Sequence, residues 1–346
     1  MPNIIRLRDG DLSLQFIQRP VHEDMAHYHW DPGSGVYSIK SHDDGVTWDP
    51  ASKVTVGLAD GSSNAVHMLM ATQLASGELI ANTHFTRVNP SAELLKELGD
   101  QKQHHPRDPW GYFMADNVYT YSSRDNGATW SDRRPIDLGA YTYHSHTGKS
   151  GVVELPDGTL LLAMHGQAKG DRQTRAYVLR SSDGGITWGQ PSTVAHDPDG
   201  NIHFSEPPLI RLQSGRLLTM IRTMDYMYQA YSDDDGWTWQ GLQKSPIWGF
   251  PAHLIQLRSG RVLCAYGYRR EPFGIRAVLS EDEGETWDTD NVLVIRDDGL
   301  HRDLGYPSSV QLNDGRILTT YYFHFANGLR HVAGSTYSED EMLVSH

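Results

Sequence analysis

One eight-residue pattern, Ser-x-Asp-x-Gly-x-Thr-Trp, occurs five times in the chain and constrains its fold more than any other feature. The copies of this pattern, here named the Trp box, run from Ser41 to Trp48, Ser123 to Trp130, Ser181 to Trp188, Ser232 to Trp239 and Ser280 to Trp287. In each copy the Ser and Asp oxygens can bond nearby backbone amides, Gly permits a positive φ, and Trp can bury a large apolar face. A turn repeated about every 50 residues predicts radial repetition of one small sheet, a β-propeller.

A second repeat, Leu-x-x-Gly-x-(Leu/Val/Ile), alternates with the Trp boxes and predicts the number of blades. Its copies run from Leu7 to Leu12, Leu74 to Leu79, Leu155 to Leu160, Leu212 to Leu217, Leu257 to Val262 and Leu312 to Ile317. Each copy is typical of a tight hairpin turn between two apolar runs. The last Trp box is reduced to Ser338-Glu339-Asp340. We therefore predict an all-β, six-bladed β-propeller with four-stranded antiparallel blades, and a single domain over residues 1–346.

Composition and the start of the sequence limit the partners that the protein is expected to bind and the compartment in which it is expected to occur. The formal net charge is −13, and a chain without a basic stripe is not expected to bind nucleic acid or an anionic membrane surface. No apolar run is long enough to predict a membrane span. The start of the sequence lacks a secretory apolar region, so we expect a cytoplasmic protein, unless a leader has been lost. The single Cys264 is expected to be a buried thiol. The sequence does not define the oligomeric state.

One insertion, over residues 86–110, interrupts the repeat between the first two Trp boxes. Within it, residues 90–99 have Pro at the first turn and Gly past the end, which predicts a short helix after the first hairpin of the second blade. Residues 104–110 are predicted to form a loop. Such an insertion is expected either to cover the central pocket or to be a surface decoration.

The five Trp-box aspartates are not expected to be catalytic. They are Asp43, Asp125, Asp183, Asp234 and Asp282. Equivalent turns in different blades cannot all converge on one reaction centre. Their role in closing each turn already accounts for them.

Functional residues are expected where the blades differ at equivalent positions. Six residues before the hairpin Leu, at the start of the innermost strand, three blades have Lys149, Glu206 and Tyr306. Seven residues after the hairpin Gly, four blades have His84, His165, Arg222 and Tyr322, and two residues further on lie Arg19 and Arg269. We predict that these groups surround one end of the central channel. Because burying titratable groups is costly, they are expected to bind a ligand, the alternative being a polar network filled with water.

The chain resembles the sialidase (neuraminidase) superfamily over nearly its whole length. The resemblance rests on the Trp boxes, the hairpins, and the segments from Phe204 to Gly215 and from Gly305 to Gly315. It implies that Glu206 polarises Tyr306, which would act as the nucleophile, and that Arg222 and Arg276 hold a substrate carboxylate. A phenol suits an anionic sugar because a carboxylate nucleophile would repel it. Paired guanidinium groups suit a planar carboxylate.

The chain also departs from the sialidase pattern. Alignment of the hairpins places the first of three family arginines before Met1, and Lys149 could supply the missing charge. The family's acid/base aspartate is expected in the loop between the first hairpin and the first Trp box, where Asp24 and Asp31 are equal candidates. Three histidines in that loop, together with His84 and His165, make histidine acid–base chemistry reasonable. No tight ligand motif is present among the eighteen histidines, so we expect no metal site and no cofactor.

The leading hypothesis is a retaining exo-glycosidase that removes a terminal, acidic sugar, such as sialic acid, from a glycan or small glycoside. One alternative is a glycosidase of different specificity, or a polysaccharide lyase that uses His and Tyr as acid and base. Another is a carbohydrate-binding propeller without catalysis. The presence of both Glu206 and Tyr306 argues against the last, because a binding site needs no activated phenol.

Overall fold

The strands of the computed structural model form six antiparallel sheets within the part of the chain that it describes. The structure describes residues 1–21, 31, 33–58, 64–88, 92–93, 96, 103–104, 112–141 and 143–343. The prediction of an all-β, six-bladed propeller is confirmed. The predicted helix over residues 90–99 and the loop over residues 104–110 lie largely outside the described residues and stay predictions.

The first three sheets contain the N-terminal half of the chain. Blade 1 contains β1 (Asn3–Arg6), β2 (Leu12–Gln18), β3 (Gly35–Ser41) and β4 (Asp49–Leu58). Blade 2 contains β5 (Asn64–Gln73), β6 (Leu79–Val88), β7 (Gln103–His104), β8 (Tyr112–Ser123) and the short β9 (Arg134–Pro135). Blade 3 contains β10 (Tyr143–Thr147), β11 (Val153–Glu154), β12 (Leu160–Gln167), β13 (Arg175–Ser181) and β14 (Gly189–Ala195).

The remaining three sheets follow the same order. Blade 4 contains β15 (Leu209–Arg211), β16 (Leu217–Ile221), β17 (Tyr226–Ser232) and β18 (Gln240–Trp248). Blade 5 contains β19 (Ala252–Gln256), β20 (Val262–Tyr268), β21 (Phe273–Ser280) and β22 (Leu293–Gly299). Blade 6 contains β23 (Gly305–Gln311), β24 (Ile317–His324) and β25 (Arg330–Tyr337), and a 3₁₀ helix (Asp340–Met342) follows it. In the described residues the sixth blade thus has three strands, where four were predicted.

Local hydrogen bonds explain both repeats. In the first hairpin the Gly10 N–H donates to the Leu7 carbonyl (3.0 Å), and the turn requires the positive φ of 98° at Gly10. In the first Trp box, Asp43 Oδ1 accepts from the Thr47 N–H and the Ser41 hydroxyl, at 2.8 and 2.9 Å. The same contacts recur along the chain, so each turn is closed by its own residues.

The hairpins and the Trp boxes lie at the same end of the propeller, which we name the box end. In blade 4, Leu217 at the hairpin pairs with Ser232, the first residue of a Trp box. The adjacent blades are also linked there, since the Ser214 hydroxyl donates to Glu283 at 2.8 Å. The innermost strands therefore begin at the opposite end of the central channel, which we name the pocket end.

The hydrophobic core is divided into clusters between neighbouring blades. Tyr177 and Ile80 join blades 2 and 3, and comparable clusters join the other pairs of blades. The ring closes through Leu12 and Leu318, which pack blade 1 against blade 6. The closure is reinforced where the Ile4 N–H donates to the Ser308 hydroxyl at 3.0 Å. Burial of apolar surface between sheets is the main force that holds such a ring together.

Within the described residues, no helix combines the length and the apolar character that crossing a membrane requires.

Candidate active site

A carboxylate, a phenol and a guanidinium are in direct contact at the pocket end. The Tyr306 hydroxyl donates to Glu206 Oε1, and Arg222 Nη1 contacts both Glu206 Oε2 (2.6 Å) and the Tyr306 oxygen (3.2 Å). Glu206 and Tyr306 are buried, and they come from blades 4 and 6. The structure therefore brings these three predicted residues together, as their register in the repeats suggested.

Backbone pairing fixes Arg222 beside Glu206. The Ser205 N–H donates to the Arg222 carbonyl (2.9 Å), and the Arg222 N–H donates to the Ser205 carbonyl (3.1 Å). This bridge lies just beyond β16 and extends its pairing toward the pocket end. The guanidinium also lies over the Phe250 ring, with Cζ 4.7 Å from its centroid. Such packing limits the motion of the arginine and favours one geometry.

Glu206 and Tyr306 both have left-handed backbone conformations, with φ of 45° and 52°. This region is unfavourable for residues with a side chain, and bulky residues rarely adopt it. Gly305, directly before Tyr306, also has a positive φ, of 115°. Backbone strain of this kind persists where the surrounding structure holds it, and it is frequent at functional sites.

The electrostatic setting keeps the shared proton on the phenol. Burial alone would raise the pKa of Glu206, but Arg222, the Tyr306 hydroxyl and Arg269 together lower it below its ordinary value. Burial and the neighbouring Glu206 raise the pKa of Tyr306. The pair thus consists of an ionised carboxylate and a neutral phenol that donates to it. Glu206 is thus a base that already accepts a hydrogen bond from the Tyr306 proton that it would remove.

Arg269 is the second arginine at this pair. Its Cζ lies 5.7 Å from the centroid of the Tyr306 ring, its Nε donates to the Leu304 carbonyl (3.1 Å), and its Nη2 lies 3.5 Å from the Tyr322 hydroxyl. The Tyr322 hydroxyl donates to Asp303, which also pairs with Arg330 at 2.9 Å. The predicted Arg269 and Tyr322 therefore lie at the pocket end.

Arg276 has a different position. It lies on β21, the third strand of blade 5, and its Cζ stacks 3.5 Å from the centroid of the Tyr268 ring. Its strand pairs with β20 and β22, away from the innermost strand. The structure thus places Arg269 next to Tyr306, although the resemblance had pointed to Arg276. A contact between Arg276 and a substrate carboxylate stays a prediction.

Lys149 supplies a further cationic group beside Tyr306. It is fully buried, and its Nζ lies 5.7 Å from the centroid of the Tyr306 ring. Burial lowers the pKa of Lys149 to about 7, although the attraction of Glu206 opposes this. His253 lies close enough that burial and Lys149 together lower its pKa to about 3. The lysine can therefore change its charge near neutral pH.

Four histidines form a row from Glu206 into blade 2. His165 Nδ1 accepts a hydrogen bond from the Glu206 N–H (3.2 Å), and its ring lies edge-on to His146, with centroids 5.1 Å apart. His146 stacks on His84 at 4.2 Å, and His84 lies 4.8 Å from His67. Burial and the neighbouring histidines lower the pKa of His84 well below its ordinary value. The predicted His84 and His165 thus lie at one side of the cluster, and burial favours the neutral form of His84.

The two candidate acids come from the segment of the sequence between β2 and β3. Asp24 lies outside the described residues. Asp31 is buried just before β3, and its Oδ1 accepts a hydrogen bond from the Gly33 N–H (2.7 Å). Arg19 follows β2 and is half-buried. The assignment of Asp24 or Asp31 as the acid that protonates the leaving group stays a prediction.

The pocket-end residue missed from the sequence is Asp303, which lies three residues before Tyr306. His146 precedes Lys149 by the same offset. This common offset was a signal that could have identified Asp303. Within the described chain, no group of three or more His, Cys, Asp or Glu side chains is arranged to hold a metal ion.

The six-bladed ring with this cluster at one end of its channel has the fold of the sialidase superfamily. The chain belongs to the family of BNR repeat-like domains, whose profile matches residues 104–319. Among curated protein sequences, none matches this chain.

Three solved structures illustrate the likeness. A protein of unknown function from Dyadobacter fermentans is 26% identical, with a TM-score of 0.84 and coverage of 97% of this chain and 93% of that one. The intramolecular trans-sialidase from Ruminococcus gnavus is 13% identical, with a TM-score of 0.72 and coverage of 100% and 95%. The α-L-arabinanase from Penicillium chrysogenum is 13% identical, with a TM-score of 0.65 and coverage of 97% and 92%. The last two likenesses concern the fold alone.

Proposed function

We propose that the protein is a sialidase-like, retaining exo-glycoside hydrolase that removes a terminal acidic sugar from a glycan or a small glycoside. The observation that supports this most is the Tyr306 hydroxyl bonded to Glu206, with Arg222 contacting both oxygens. A phenol held against an ionised carboxylate is an activated nucleophile. Tyrosine is the known exception to carboxylate nucleophiles among retaining glycosidases.

The first chemical step would form a covalent bond between Tyr306 and the sugar. The Tyr306 proton moves to Glu206 Oε1 as the phenol oxygen attacks the anomeric carbon, and the glycosidic C–O bond breaks. The leaving oxygen takes a proton from an acid, for which Asp24 and Asp31 are the candidates. Arg222 Nη1, 3.2 Å from the phenol oxygen, stabilises the negative charge that develops there.

The second step would return the enzyme to its starting state. A water molecule attacks the anomeric carbon, and its proton passes to the residue that served as acid. The bond to the phenol oxygen breaks, and Glu206 returns the proton to Tyr306. The sugar is released with its anomeric configuration retained, since it has been inverted twice.

Basic groups around the pair favour an anionic sugar. Arg222 contacts the Tyr306 hydroxyl, and both Arg269 and Lys149 lie near the Tyr306 ring. One Arg222 nitrogen is already engaged by Glu206, so Arg269 and Lys149 would contribute much of the attraction for a substrate carboxylate. This arrangement would supply the positive charge that the family's first arginine provides elsewhere.

The row of histidines supports a second candidate. A lyase acting on uronates would need a base and an acid beside a carboxylate that is neutralised by arginine, and His165 and Tyr306 flank Glu206. An arabinanase that shares the fold also makes a glycosidase of different specificity reasonable.

A carbohydrate-binding propeller without catalysis is less well supported, because Glu206 would have no evident role as a proton acceptor in it. A cytoplasmic location remains part of this proposal.

The decisive experiment compares hydrolysis of a fluorogenic α-sialoside by the wild type and by Tyr306→Phe. We expect the variant to lose at least about 10³-fold in kcat, because the nucleophile is removed. Tyr231→Phe is the matched control, since Tyr231 contacts Arg216 at the box end (4.4 Å to the ring centroid). Full activity in Tyr306→Phe would reject Tyr306 as nucleophile. In a parallel assay on a uronate-containing polysaccharide, formation of an unsaturated uronate, seen as new absorbance, would favour the lyase.

A further inference from the structure

A histidine from the neighbouring blade holds the backbone of Glu206. The Glu206 N–H donates to His165 Nδ1 at 3.2 Å, so a side chain of β12 in blade 3 reaches the residue just before β15 of blade 4. Both residues are buried, with 8% of Glu206 and 6% of His165 exposed. A buried N–H that lost its acceptor would be costly, because it is cut off from solvent. The peptide group before Glu206 therefore depends on this imidazole.

The Glu206 backbone needs such support because its conformation is unfavourable for two reasons. Its φ of 45° lies in the left-handed region, which residues with a side chain rarely adopt. Pro207 follows it, and a residue before proline favours an extended conformation with φ of about −120°. The peptide group between Ser205 and Glu206 is held on both sides: its carbonyl accepts from the Arg222 N–H (3.1 Å), and its N–H donates to His165. These two bonds fix the direction in which the chain enters Glu206.

The same hydrogen bond defines the state of the imidazole. A backbone amide can only donate, so Nδ1 of His165 is unprotonated and the ring carries its proton on Nε2. Because Nδ1 is engaged by the Glu206 N–H, it is not free to take a proton from a substrate. The contact therefore indicates that His165 acts through Glu206 and does not itself remove a proton at Nδ1.

The imidazole is itself held in place. His165 lies in the middle of blade 3, where β12 pairs with β10 on one side and with β13 on the other, opposite His146 and Ala176. The His146 ring lies edge-on to it, with centroids 5.1 Å apart. Groups that place a catalytic side chain are effective when packing fixes their own conformation. His165 meets this condition, because two strands and a neighbouring ring surround it.

We propose that His165 is a positioning residue for the base: its Nδ1 holds the peptide group before Glu206, so that the Glu206 carboxylate meets the Tyr306 hydroxyl. This role rests on the hydrolase function proposed above, because it concerns the removal of the Tyr306 proton. Without the acceptor, the left-handed backbone loses one of its two supports, and the carboxylate shifts from the phenol. A small misplacement of a catalytic group lowers the rate strongly. Loss of the His165 acceptor therefore acts on kcat more than on KM.

The test compares three substitutions of His165 in the full chain, with the fluorogenic α-sialoside as substrate. His165→Asn keeps an acceptor, because its Oδ1 is as many bonds from the backbone as Nδ1, and should keep kcat within about threefold of the wild type. In His165→Gln the amide lies one bond further out, and His165→Ala has none. Both should lower kcat by roughly tenfold or more, with KM changed by less than about threefold. His196→Ala is the matched control, since His196 is another histidine of blade 3 and contacts Arg175 (3.1 Å).

Hydrogen exchange at the Glu206 amide gives a second readout, which needs no substrate. We expect this amide to be protected in the wild type and in His165→Asn. It should exchange roughly tenfold faster or more in His165→Gln and His165→Ala, because its acceptor is gone. Thermal melting identifies any variant that does not fold. If His165→Ala is among them, the comparison of His165→Asn with His165→Gln decides alone.

Equal loss of kcat in all three His165 variants would overturn the positioning role, because it would show that the imidazole itself carries a proton in the reaction. Unchanged kcat in all three, or a rise in KM alone, would also overturn it. The same holds if the Glu206 amide exchanges equally in the wild type and in His165→Gln. If the wild type does not cleave the sialoside while the exchange follows the expected pattern, the proposed function fails, and the positioning role fails with it. The bond from Glu206 to His165 then stands as a support of the backbone alone.

Discussion

At the box end of the propeller, Trp-box oxygens bond to partners two to four residues away, whereas the central pair at the pocket end joins two different blades. Asp282 accepts from Ser280 and Thr286, all within one turn. Glu206 and Tyr306, in contrast, are separated by 100 positions in the sequence. The first arrangement can be repeated in every blade because it needs nothing from its neighbours. The second can occur once, because it needs the ring to be closed.

The residues with a left-handed backbone conformation show the same contrast between the box end and the pocket end. Asp44, Asn126, Asp235 and Glu283 have φ between 55° and 58° at the fourth position of their Trp boxes. In the third box this position is Gly184, so the turn needs the conformation and not the side chain. At the pocket end, Glu206 and Tyr306 have the same conformation although glycine would relieve the strain. These two positions therefore keep their side chains in spite of the backbone strain.

The largest effect, on kcat, is expected at the pocket end. The experiment neutralises one carboxylate at each end of the propeller and compares the two variants. Glu206→Gln should lower kcat on the cleaved glycoside by about 10³-fold, because an amide cannot take the Tyr306 proton. Glu285→Gln is the matched control, since Glu285 also pairs with an arginine, Arg216, at 2.9 Å. Its pair lies at the box end, so kcat should stay within twofold.

The two variants are compared by steady-state kinetics on one substrate, with thermal melting to confirm that both are folded. If Glu206→Gln and Glu285→Gln have the same small effect, the cluster at the pocket end is a structural polar network. The contrast between the two ends would then concern stability alone.

A smaller effect, on stability and not on activity, is expected from a Trp-box aspartate. Asp282→Ala should lower the free energy of unfolding by about 2 kcal/mol, because it leaves the Ser280 and Thr286 donors without their acceptor. Glu281→Ala is the control: its ion pair with Arg261 lies at the surface, and such pairs contribute little. Urea unfolding measures both variants.

The same aspartate predicts a pH dependence. Burial acts to raise the pKa of Asp282, but the Thr286 and Ser280 hydrogen bonds outweigh it and lower the pKa below its ordinary value of 3.8. A carboxylate with a depressed folded pKa stabilises the protein above its unfolded value, and this contribution is lost as the pH falls through the folded pKa. The difference in stability between the wild type and Asp282→Ala should therefore become smaller as the pH falls below 3.8. A difference that does not change with pH would contradict the assignment.

Both repeats could be predicted from the sequence because each turn is closed within a few residues. The register of the repeats also placed Lys149, Glu206 and Tyr306 at one end of the channel, since equivalent strand positions share a face. The choice between Arg269 and Arg276 could not be made in this way. It depends on how far each side chain reaches, and Arg276 is held by stacking on Tyr268.

Lys149 provides the smallest of the predicted effects, and it tests whether the charge at the pocket end serves the substrate. Because burial lowers its pKa to about 7, Lys149 is protonated below that pH and neutral above it. The KM for an anionic sugar should therefore rise by about tenfold between pH 6 and pH 8, and Lys149→Met should flatten this rise. Lys244→Met, which removes an exposed lysine paired with Asp225, should leave it intact.

Stability gives a second readout of the same lysine that does not involve the substrate. Between pH 7 and its ordinary value of 10.5, the unfolded chain binds a proton at Lys149 that the folded protein does not. The free energy of unfolding should therefore rise with pH over this window, and Lys149→Met should remove that rise. A KM profile that keeps its slope in Lys149→Met, while the stability profile flattens, would show that the lysine titrates but does not meet the substrate. The contribution of positive charge at the pocket end would then rest on Arg222 and Arg269.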